Sequence, residues 1–242
     1  MAKKTWSETK RSINEILNSP TPIKKVNHIP VSESDFTYDN GVRASVSTIF
    51  VDIVRSTDLF KLGKDVRLAK IIRAFVQEII EIIRNNSHYR EIGIRGDCVY
   101  AIFDTPSPAD CKDVFVTAYS LHSFLMLLEK QVFEKYQINL TAGIGLGYDS
   151  ESLIVKTGKS KSGIFDYVWL GDAVVDASNL SSIASRNGRK KIVMTKKFYD
   201  YSKDELLKHN NKFIGWLTSF RTGNQLCYEC NIYDSSVEEV LK

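Results

Sequence analysis

The stretch Val46-Ser-Thr-Ile-Phe-Val-Asp-Ile-Val54 carries the strongest structural signal in the chain. Its β-branched and aromatic residues favour a strand, which is interrupted by a single carboxylate, Asp52. Apolar residues then recur at helical spacing and predict a long helix from about Asp65 to Asn85. After it, Ile92–Phe103 predicts two strands joined by a turn at Gly96–Asp97. The pattern therefore starts as strand, helix, strand, strand.

A second helix and a further strand complete this pattern. Ser107-Pro-Ala-Asp110 has the form of a capping box with proline at the first helical position, so it predicts the start of a second long helix. Residues Ile138–Gly147 alternate as a strand does. The whole order predicts an α+β fold with a ferredoxin-like β-α-β-β-α-β core, in which two helices cover one face of the sheet.

The chain divides into two predicted segments. Residues 44–242 form one domain, which closes with a C-terminal helix and two strands: about Asp172–Arg186, Lys191–Thr195 and Leu226–Tyr233. Residues 1–43 predict a short amphipathic helix at Ser7–Asn18 and then an extended arm. This arm either packs on the domain or binds a partner.

Composition excludes several classes of protein. The 242 residues are 43% hydrophobic with a net charge of +4, which is typical of a globular protein and not of a disordered one. The most apolar stretch, Ile71–Ile83, is too short and too charged for a bilayer span, so we expect no membrane partner. No apolar segment follows the basic N-terminus, so we expect no signal peptide and a cytoplasmic location. The small charge does not indicate nucleic-acid binding.

Cysteine spacing gives one weak motif. Cys227 and Cys230 form a Cys-x-x-Cys pair, but a zinc site needs four ligands and no second pair accompanies them. We therefore predict two half-buried thiols on a strand instead of a metal or redox site.

Two acidic residues are the main candidates for function. Asp52 lies within an apolar strand, where burying an unpaired carboxylate is costly, and Asp97 lies at the tip of the following hairpin. The first and third strands of a ferredoxin-like sheet are neighbours, so the two carboxylates can approach each other. A hard divalent cation with oxygen ligands removes their repulsion. The pair therefore predicts a metal site and chemistry at phosphorus.

The turn after Asp52 adds a candidate phosphate site. Backbone N–H groups, the hydroxyls of Ser56 and Thr57 and the guanidinium of Arg55 together form a plausible phosphate cradle. The alternative is that Asp52 is a hydrogen-bonded strand residue and Gly96–Asp97 a simple turn. That alternative is less favourable because the chain has both motifs, the carboxylate in the first strand and the Gly–Asp turn in the following hairpin, in the order that a shared site requires.

These motifs resemble the class III nucleotidyl cyclases. The resemblance covers about residues 44–195 and is carried by Phe50-x-Asp52-Ile-x-x-Ser56-Thr57, by Gly96–Asp97 and by Leu170-Gly-Asp-Ala-Val174. It implies a homodimer with active sites between the protomers. It also implies conversion of a nucleoside triphosphate to a 3′,5′-cyclic monophosphate and pyrophosphate.

The resemblance further implies the ligands of the metals. Asp52, Asp97 and the backbone carbonyl of Ile53 are expected to hold two Mg²⁺ or Mn²⁺ ions per site. One ion would lower the pKa of the ribose 3′-hydroxyl and the other would support the triphosphate. The remaining catalysis is expected to come from positioning and charge stabilisation.

The chain departs from the purine cyclases at the positions that read the base. The family usually has Lys or Glu where this chain has Gly93, and a polar residue where it has Val168, with Trp169 beside it. A site without these polar groups is expected to discriminate against purines.

The two residues that the family uses to stabilise the transition state differ as well. The family's Asn-x-x-x-Arg falls on Val175 and Asn179, so Asn179 is the expected catalytic residue at the arginine position. The missing positive charge has six candidates: Arg95, Arg186, Arg189, Lys190, Lys191 and Arg221.

A branch of the family shares these departures. The stand-alone cyclases of bacterial Pycsar antiphage systems lack the purine-reading residues and make cyclic pyrimidine nucleotides, and this chain resembles them. We therefore expect a uridylate cyclase acting on UTP in antiphage defence. Phe50 either narrows the base pocket or belongs to the core, and Arg95 and Trp169 are further candidates for nucleotide binding. A cytidylate cyclase, an adenylate or guanylate cyclase and a catalytically silent nucleotide-binding module remain as alternatives.

Overall fold

The computed structural model describes residues 4–31, 36–60, 65–159 and 164–242. Its helices there are α1 (Trp6–Asn18), α2 (Ser56–Phe60), α3 (Asp65–Arg84), α4 (Pro108–Tyr136), α5 (Asp172–Ile183), α6 (Lys196–His209) and α7 (Val237–Val240), with a 3-10 turn at Phe213–Trp216. Its strands are β1 (Ile23–Lys25), β2 (Gly41–Ile53), β3 (Tyr89–Arg95), β4 (Cys98–Asp104), β5 (Ala142–Lys159), β6 (Ile164–Leu170), β7 (Ile192–Thr195), β8 (Thr218–Thr222) and β9 (Gln225–Cys230). None of the described helices is both long and apolar enough to cross a bilayer.

The strands form one mixed sheet in the order β3-β4-β2-β5-β7-β9-β8, with β1 beside β2 and β6 beside β5. The first four of these strands, connected through α3 and α4, are the predicted β-α-β-β-α-β core. As expected, β2 lies next to β4, and the two pair antiparallel with Asp52 opposite Cys98. The ferredoxin-like fold is thus confirmed.

The two faces of β2 have different roles. Ile49, Val51 and Ile53 are fully buried and pack in the main core with residues of α3 and α4, including Phe75 and Leu121. Because side chains alternate along a strand, Phe50 and Asp52 face the opposite side of the sheet. The candidate site therefore lies on the face that α3 and α4 leave open.

Helix α5 covers part of that open face because β5 carries glycine at alternate positions. A Cβ atom added to Gly145 would overlap the backbone carbonyl of Ala177, and one added to Gly147 would overlap that of Ala173. The glycines let the helix backbone lie directly on the strand. This close contact fixes the wall that α5 presents to the site.

Several element boundaries differ from the prediction. β2 begins at Gly41, five residues before the predicted strand, and β5 runs from Ala142 to Lys159, well past the end of the predicted strand Ile138–Gly147. The sequence analysis missed β6, β8 and α6. The buried positions of α6 are Phe198, Ser202 and Leu206, so a serine interrupts its apolar stripe and weakens the helical pattern.

Part of the N-terminal arm packs on the sheet. Strand β1 pairs in parallel with the start of β2. Ile29 and Phe36 are buried in a second apolar cluster with Val42 and Ile154. Helix α1, in contrast, has no buried residue. The boundary between segments 1–43 and 44–242 stays a prediction.

The Cys-x-x-Cys pair belongs to the core. Cys227 and Cys230 are both fully buried on β9, so the prediction of half-buried thiols is wrong in degree. Burial raises the pKa of Cys227 to about 11 and that of Cys230 to about 12. Both thiols are therefore protonated and unreactive at neutral pH.

Candidate active site

The sheet brings the two candidate carboxylates to the same end of β2 and β4. Asp52 is the second-last residue of β2, and its side chain is 22% exposed. Asp97 follows Gly96 in the turn between β3 and β4, where Gly96 has a φ of 64°, which glycine adopts without strain. Burial raises the pKa of Asp52, and the nearby charge of Asp97 raises it further. The charge of Asp97 therefore acts on Asp52, while the metal site that the two carboxylates predict stays a prediction.

Arg186 provides a positive charge at this point. Its Nη2 donates to Oδ2 of Asp52 at 2.7 Å and to the backbone carbonyl of Ile53 at 3.3 Å. Its Nη1 donates to the carbonyls of Ser181 and Ala184, which hold the guanidinium in place beyond the end of α5. This ion pair lowers the pKa of Asp52, although burial is the larger effect.

The contacts of Arg186 show whether Asp52 and Ile53 are suited to hold a metal ion. Oδ2 of Asp52 and the carbonyl oxygen of Ile53 both accept from Nη2 of Arg186, so the two oxygens face the same position. A positively charged group already occupies that position. Their oxygen chemistry suits Mg²⁺ or Mn²⁺. Among the described residues, no group of three or more His, Cys, Asp or Glu could hold a metal ion. A divalent ion here would therefore need substrate phosphates or water as further ligands, as Mg²⁺ commonly does.

The predicted phosphate turn borders a cavity of about 600 Å³. Arg55 lines it and has a φ of 55°, a left-handed conformation that non-glycine residues seldom adopt. Arg186 lines the same cavity. Ser56 and Thr57 form the first residues of α2 and are not among the described residues that line it. The turn therefore brings one predicted phosphate ligand, Arg55, close to Arg186.

A second cavity of about 570 Å³ lies on the open face of the sheet, and four predicted site residues line it: Phe50, Arg95, Trp169 and Asn179. Neither Asp52 nor Asp97 is among its described lining residues. The carboxylates thus lie beside this cavity without lining it, because the lining residue Cys98 is directly opposite Asp52 on β4. We refer to the end of β2 and β4 that bears Asp52 and Asp97 as the carboxylate end. We call the second space the base cavity.

A tyrosine takes the space above Gly93 in the base cavity. Gly93, Tyr100 and Phe50 form one cross-strand row on β3, β4 and β2. A Cβ atom added to Gly93 would overlap the ring of Tyr100. That ring also stacks on Phe50, with centroids 5.2 Å apart and 16° between the planes. The space above Gly93 is therefore filled by an aromatic platform of Tyr100 and Phe50.

Glu91 completes this wall and was missed by the sequence analysis. Its Oε1 accepts from the hydroxyl of Tyr100 at 2.8 Å, and its Oε2 accepts from Nε1 of Trp169 at 2.6 Å. Burial, and then the hydrogen bond to Glu91, raises the pKa of Tyr100 to about 12. The guanidinium of Arg95 lies 5.9 Å from the centre of the Tyr100 ring. The alternation Glu91, Gly93, Arg95 on one face of β3 is the sequence signal that could have found Glu91.

The candidates for the missing positive charge are now separated by their contacts. Arg186 contacts Asp52, and Arg95 lines the base cavity. The other four are held elsewhere: Arg189 with Glu229, Lys190 with Thr218, Lys191 with Glu129 and Arg221 with the Asn224 carbonyl. Asn179 and Val175 are exposed on the face of α5 that borders the base cavity.

Comparison with known proteins places the chain in a family. Residues 40–215 match the model of the adenylate and guanylate cyclase catalytic domain. A uridylate cyclase from Treponema porcinum is 34% identical over 239 residues, which cover 98% of this chain and 80% of the relative. A uridylate cyclase from Gulbenkiania mobilis is 34% identical over 199 residues, 78% of this chain and 76% of the relative.

A solved structure shows the same fold. The adenylyl cyclase CyaB from P. aeruginosa superposes with a TM-score of 0.61 at 17% identity, over 78% of this chain and 95% of that one. At this identity the likeness concerns the fold alone. The family match, the two relatives and the motifs around Asp52 and Asp97 agree, and the chain therefore belongs to the family of adenylate and guanylate cyclase catalytic domains, the class III nucleotidyl cyclases.

Proposed function

We propose that this protein is a uridylate cyclase, which converts UTP to 3′,5′-cyclic UMP and pyrophosphate. The observation that carries the proposal is the stacked Phe50–Tyr100 pair, because it fills the space above Gly93 from which a purine-reading side chain would project. The pair narrows the base cavity and so favours the smaller pyrimidine ring. The names of the relatives from Treponema porcinum and Gulbenkiania mobilis support the same substrate.

In this proposal the carboxylate end holds the metals. Asp52, Asp97 and the carbonyl of Ile53 would hold two Mn²⁺ or Mg²⁺ ions together with the triphosphate. Such ions lower the pKa of the 3′-hydroxyl and balance the charge of the phosphates. The 3′-oxygen forms a bond to the α-phosphorus, the bond from that phosphorus to the bridging oxygen breaks, and pyrophosphate leaves while the hydroxyl proton passes to solvent.

The chain's own residues position the substrate. Arg55, with Ser56 and Thr57, lies where the triphosphate would meet the turn after β2. Trp169 and Arg95 flank the base in the base cavity, and Asn179 faces the ribose from α5. Their shared task is to hold the 3′-oxygen in line with the α-phosphorus, which lowers the entropic part of the barrier.

A homodimer would bring the two parts of the site together. The resemblance to the class III cyclases implies active sites between protomers, so we assign the metals to one protomer and the base cavity to its partner. Leu170 and Val175 support this arrangement, because these large apolar side chains are 51% and 59% exposed beside the base cavity.

The same proposal includes a biological setting. Cyclic UMP would act as a second messenger in bacterial antiphage defence, as the resemblance to the Pycsar cyclases implies. A cytoplasmic location is consistent with the four free cysteines and with a nucleoside triphosphate substrate.

One experiment tests the proposed reaction. The purified full chain is incubated with Mn²⁺ and an equimolar mixture of UTP, CTP, ATP and GTP, and the cyclic products are quantified by mass spectrometry. Cyclic UMP should dominate. Dominance of cyclic AMP or cyclic GMP would show that the base cavity accepts purines, and no cyclic product at all would favour the silent nucleotide-binding module.

A further inference from the structure

The base cavity contains an anchored carboxylate that the functions assigned so far leave unused. Glu91 is partly buried on β3, two residues before Gly93 and on the same face of that strand. Trp169 and Tyr100 each donate to a different oxygen of this carboxylate, across 78 and 9 residues of sequence. These two bonds fix the plane of the carboxylate against β4 and β6.

The anchored carboxylate can still accept hydrogen bonds. Each carboxylate oxygen has two acceptor sites, and each oxygen of Glu91 receives one of the two aromatic donors. The remaining acceptor sites lie at the wall of the base cavity, which Glu91 lines. A carboxylate cannot pair with a carbonyl oxygen, so the group it selects there must present a donor, which on the edge of a base is an N–H.

Arg95 supplies the opposite chemistry in the same cavity. Its guanidinium lies 5.9 Å from the centre of the Tyr100 ring, while the hydroxyl of the same ring binds Glu91. The two charged groups thus flank one aromatic platform, with Glu91 offering acceptors and Arg95 offering donors. The edge of uracil has an N3–H between two carbonyl oxygens, and it matches this combination.

We propose that Glu91 is a specificity-determining residue that accepts a hydrogen bond from the N3–H of uracil, held in place for this by Trp169 and Tyr100. The inference rests on the proposed function and adds to it the atom that is recognised. A hydrogen bond between a neutral N–H and a charged acceptor is strong enough to discriminate between bases. The stacked aromatic pair then limits ring size, and Glu91 selects for the N–H.

The test compares the wild type and Glu91→Gln in their binding of UTP and of 3-methyl-UTP. Glu91→Gln keeps the size and a partner for Trp169 but loses the charge, and 3-methyl-UTP lacks the N3–H. We expect Glu91→Gln to raise the KM for UTP tenfold or more with kcat within about threefold. The inhibition constant of 3-methyl-UTP, measured in competition with UTP, should change less than threefold. Asp166→Asn is the matched control, because this second carboxylate lines the same cavity but binds the backbone N–H of Tyr167.

The outcomes separate this inference from the proposed function. If the wild type forms cyclic UMP but Glu91→Gln keeps its KM for UTP, the assignment of Glu91 is wrong and the proposed function stands. Equal losses for UTP and 3-methyl-UTP, with a lowered melting temperature, would show that Glu91 only supports the wall. If the wild type prefers ATP or GTP, both the proposed function and the role of Glu91 are overturned.

Discussion

Replacing Arg186 by glutamine should strengthen the binding of Mn²⁺ to the nucleotide-free protein. Arg186 donates to an oxygen of Asp52 and to the carbonyl of Ile53, both of them proposed metal ligands. A metal ion must therefore displace the guanidinium or bind beside a like charge. Glutamine has no positive charge and a shorter side chain, so the metal ion meets neither a guanidinium to displace nor a like charge. It still provides a hydrogen-bonding group at the end of α5.

The expected change in the Kd for Mn²⁺ follows from the solvent exposure of the Arg186–Asp52 ion pair. Fully exposed ion pairs contribute about 0–1 kcal/mol, and hydrogen bonds to charged groups contribute about 1.5–3 kcal/mol. The side chains of Arg186 and Asp52 are 23% and 22% exposed, between these two situations. A value of about 1.4 kcal/mol corresponds to a tenfold lower Kd for Mn²⁺ in the variant.

The measurement is a titration of Mn²⁺ followed by the electron paramagnetic resonance of the free ion, without nucleotide. Arg189→Gln is the control, because Arg189 lies 3.7 Å from the centre of the Phe220 ring and pairs with Glu229 instead. An unchanged or higher Kd in Arg186→Gln would refute the competition between Arg186 and the metal. No Mn²⁺ binding in either protein, even with 3′-deoxy-UTP present to supply the phosphates without cyclising, would refute the metal site itself.

Three further predictions follow from the geometry of the site. Asp52→Asn and Asp97→Asn should each reduce cyclic UMP formation at least a hundredfold while the melting temperature stays within a few degrees; a variant with normal turnover would refute the two-metal assignment. Mixing chains that carry Asp52→Ala with chains that carry Asn179→Ala should restore activity, whereas no recovery despite proven subunit exchange would place the site within one chain. Gly145→Ala should cost about 2–3 kcal/mol in urea unfolding, because its Cβ overlaps the Ala177 carbonyl, and unchanged stability would show that α5 shifts freely.

The fold was predictable because its signals are local. The capping box at Ser107–Asp110 forms as expected, with the Ser107 hydroxyl accepting from the Asp110 N–H at 3.3 Å and the Asp110 carboxylate accepting from the Ser107 N–H at 2.8 Å. The apolar spacing of α3 gives the predicted buried stripe, including Phe75. Helix α6 was missed because only part of its buried face is apolar, so its position depends on tertiary packing and not on local pattern.

The sequence pointed to candidate site residues only where a single residue type, here a carboxylate, stands out from its local surroundings. Asp52 and Asp97 could be proposed from the sequence because burying an unpaired carboxylate in an apolar strand is costly and the following hairpin pairs with that strand. The contact between Asp52 and Arg186 joins residues 134 positions apart and has no local signature. Glu91 was missed for the same reason, since its meaning comes from Trp169, a residue 78 positions away.

The departures from the purine cyclases are connected to one another through the sheet register. Tyr100 can lie over position 93 only because that position is glycine, and once there its hydroxyl reaches Glu91. Glu91 in turn accepts from Trp169, the neighbour of the unfilled reading position Val168. Gly93, Tyr100, Glu91 and Trp169 are thus linked by one set of contacts. Gly93→Lys alone should therefore give a poorly packed pocket and no purine cyclase, because the lysine would have to displace the ring of Tyr100 from its stacking on Phe50.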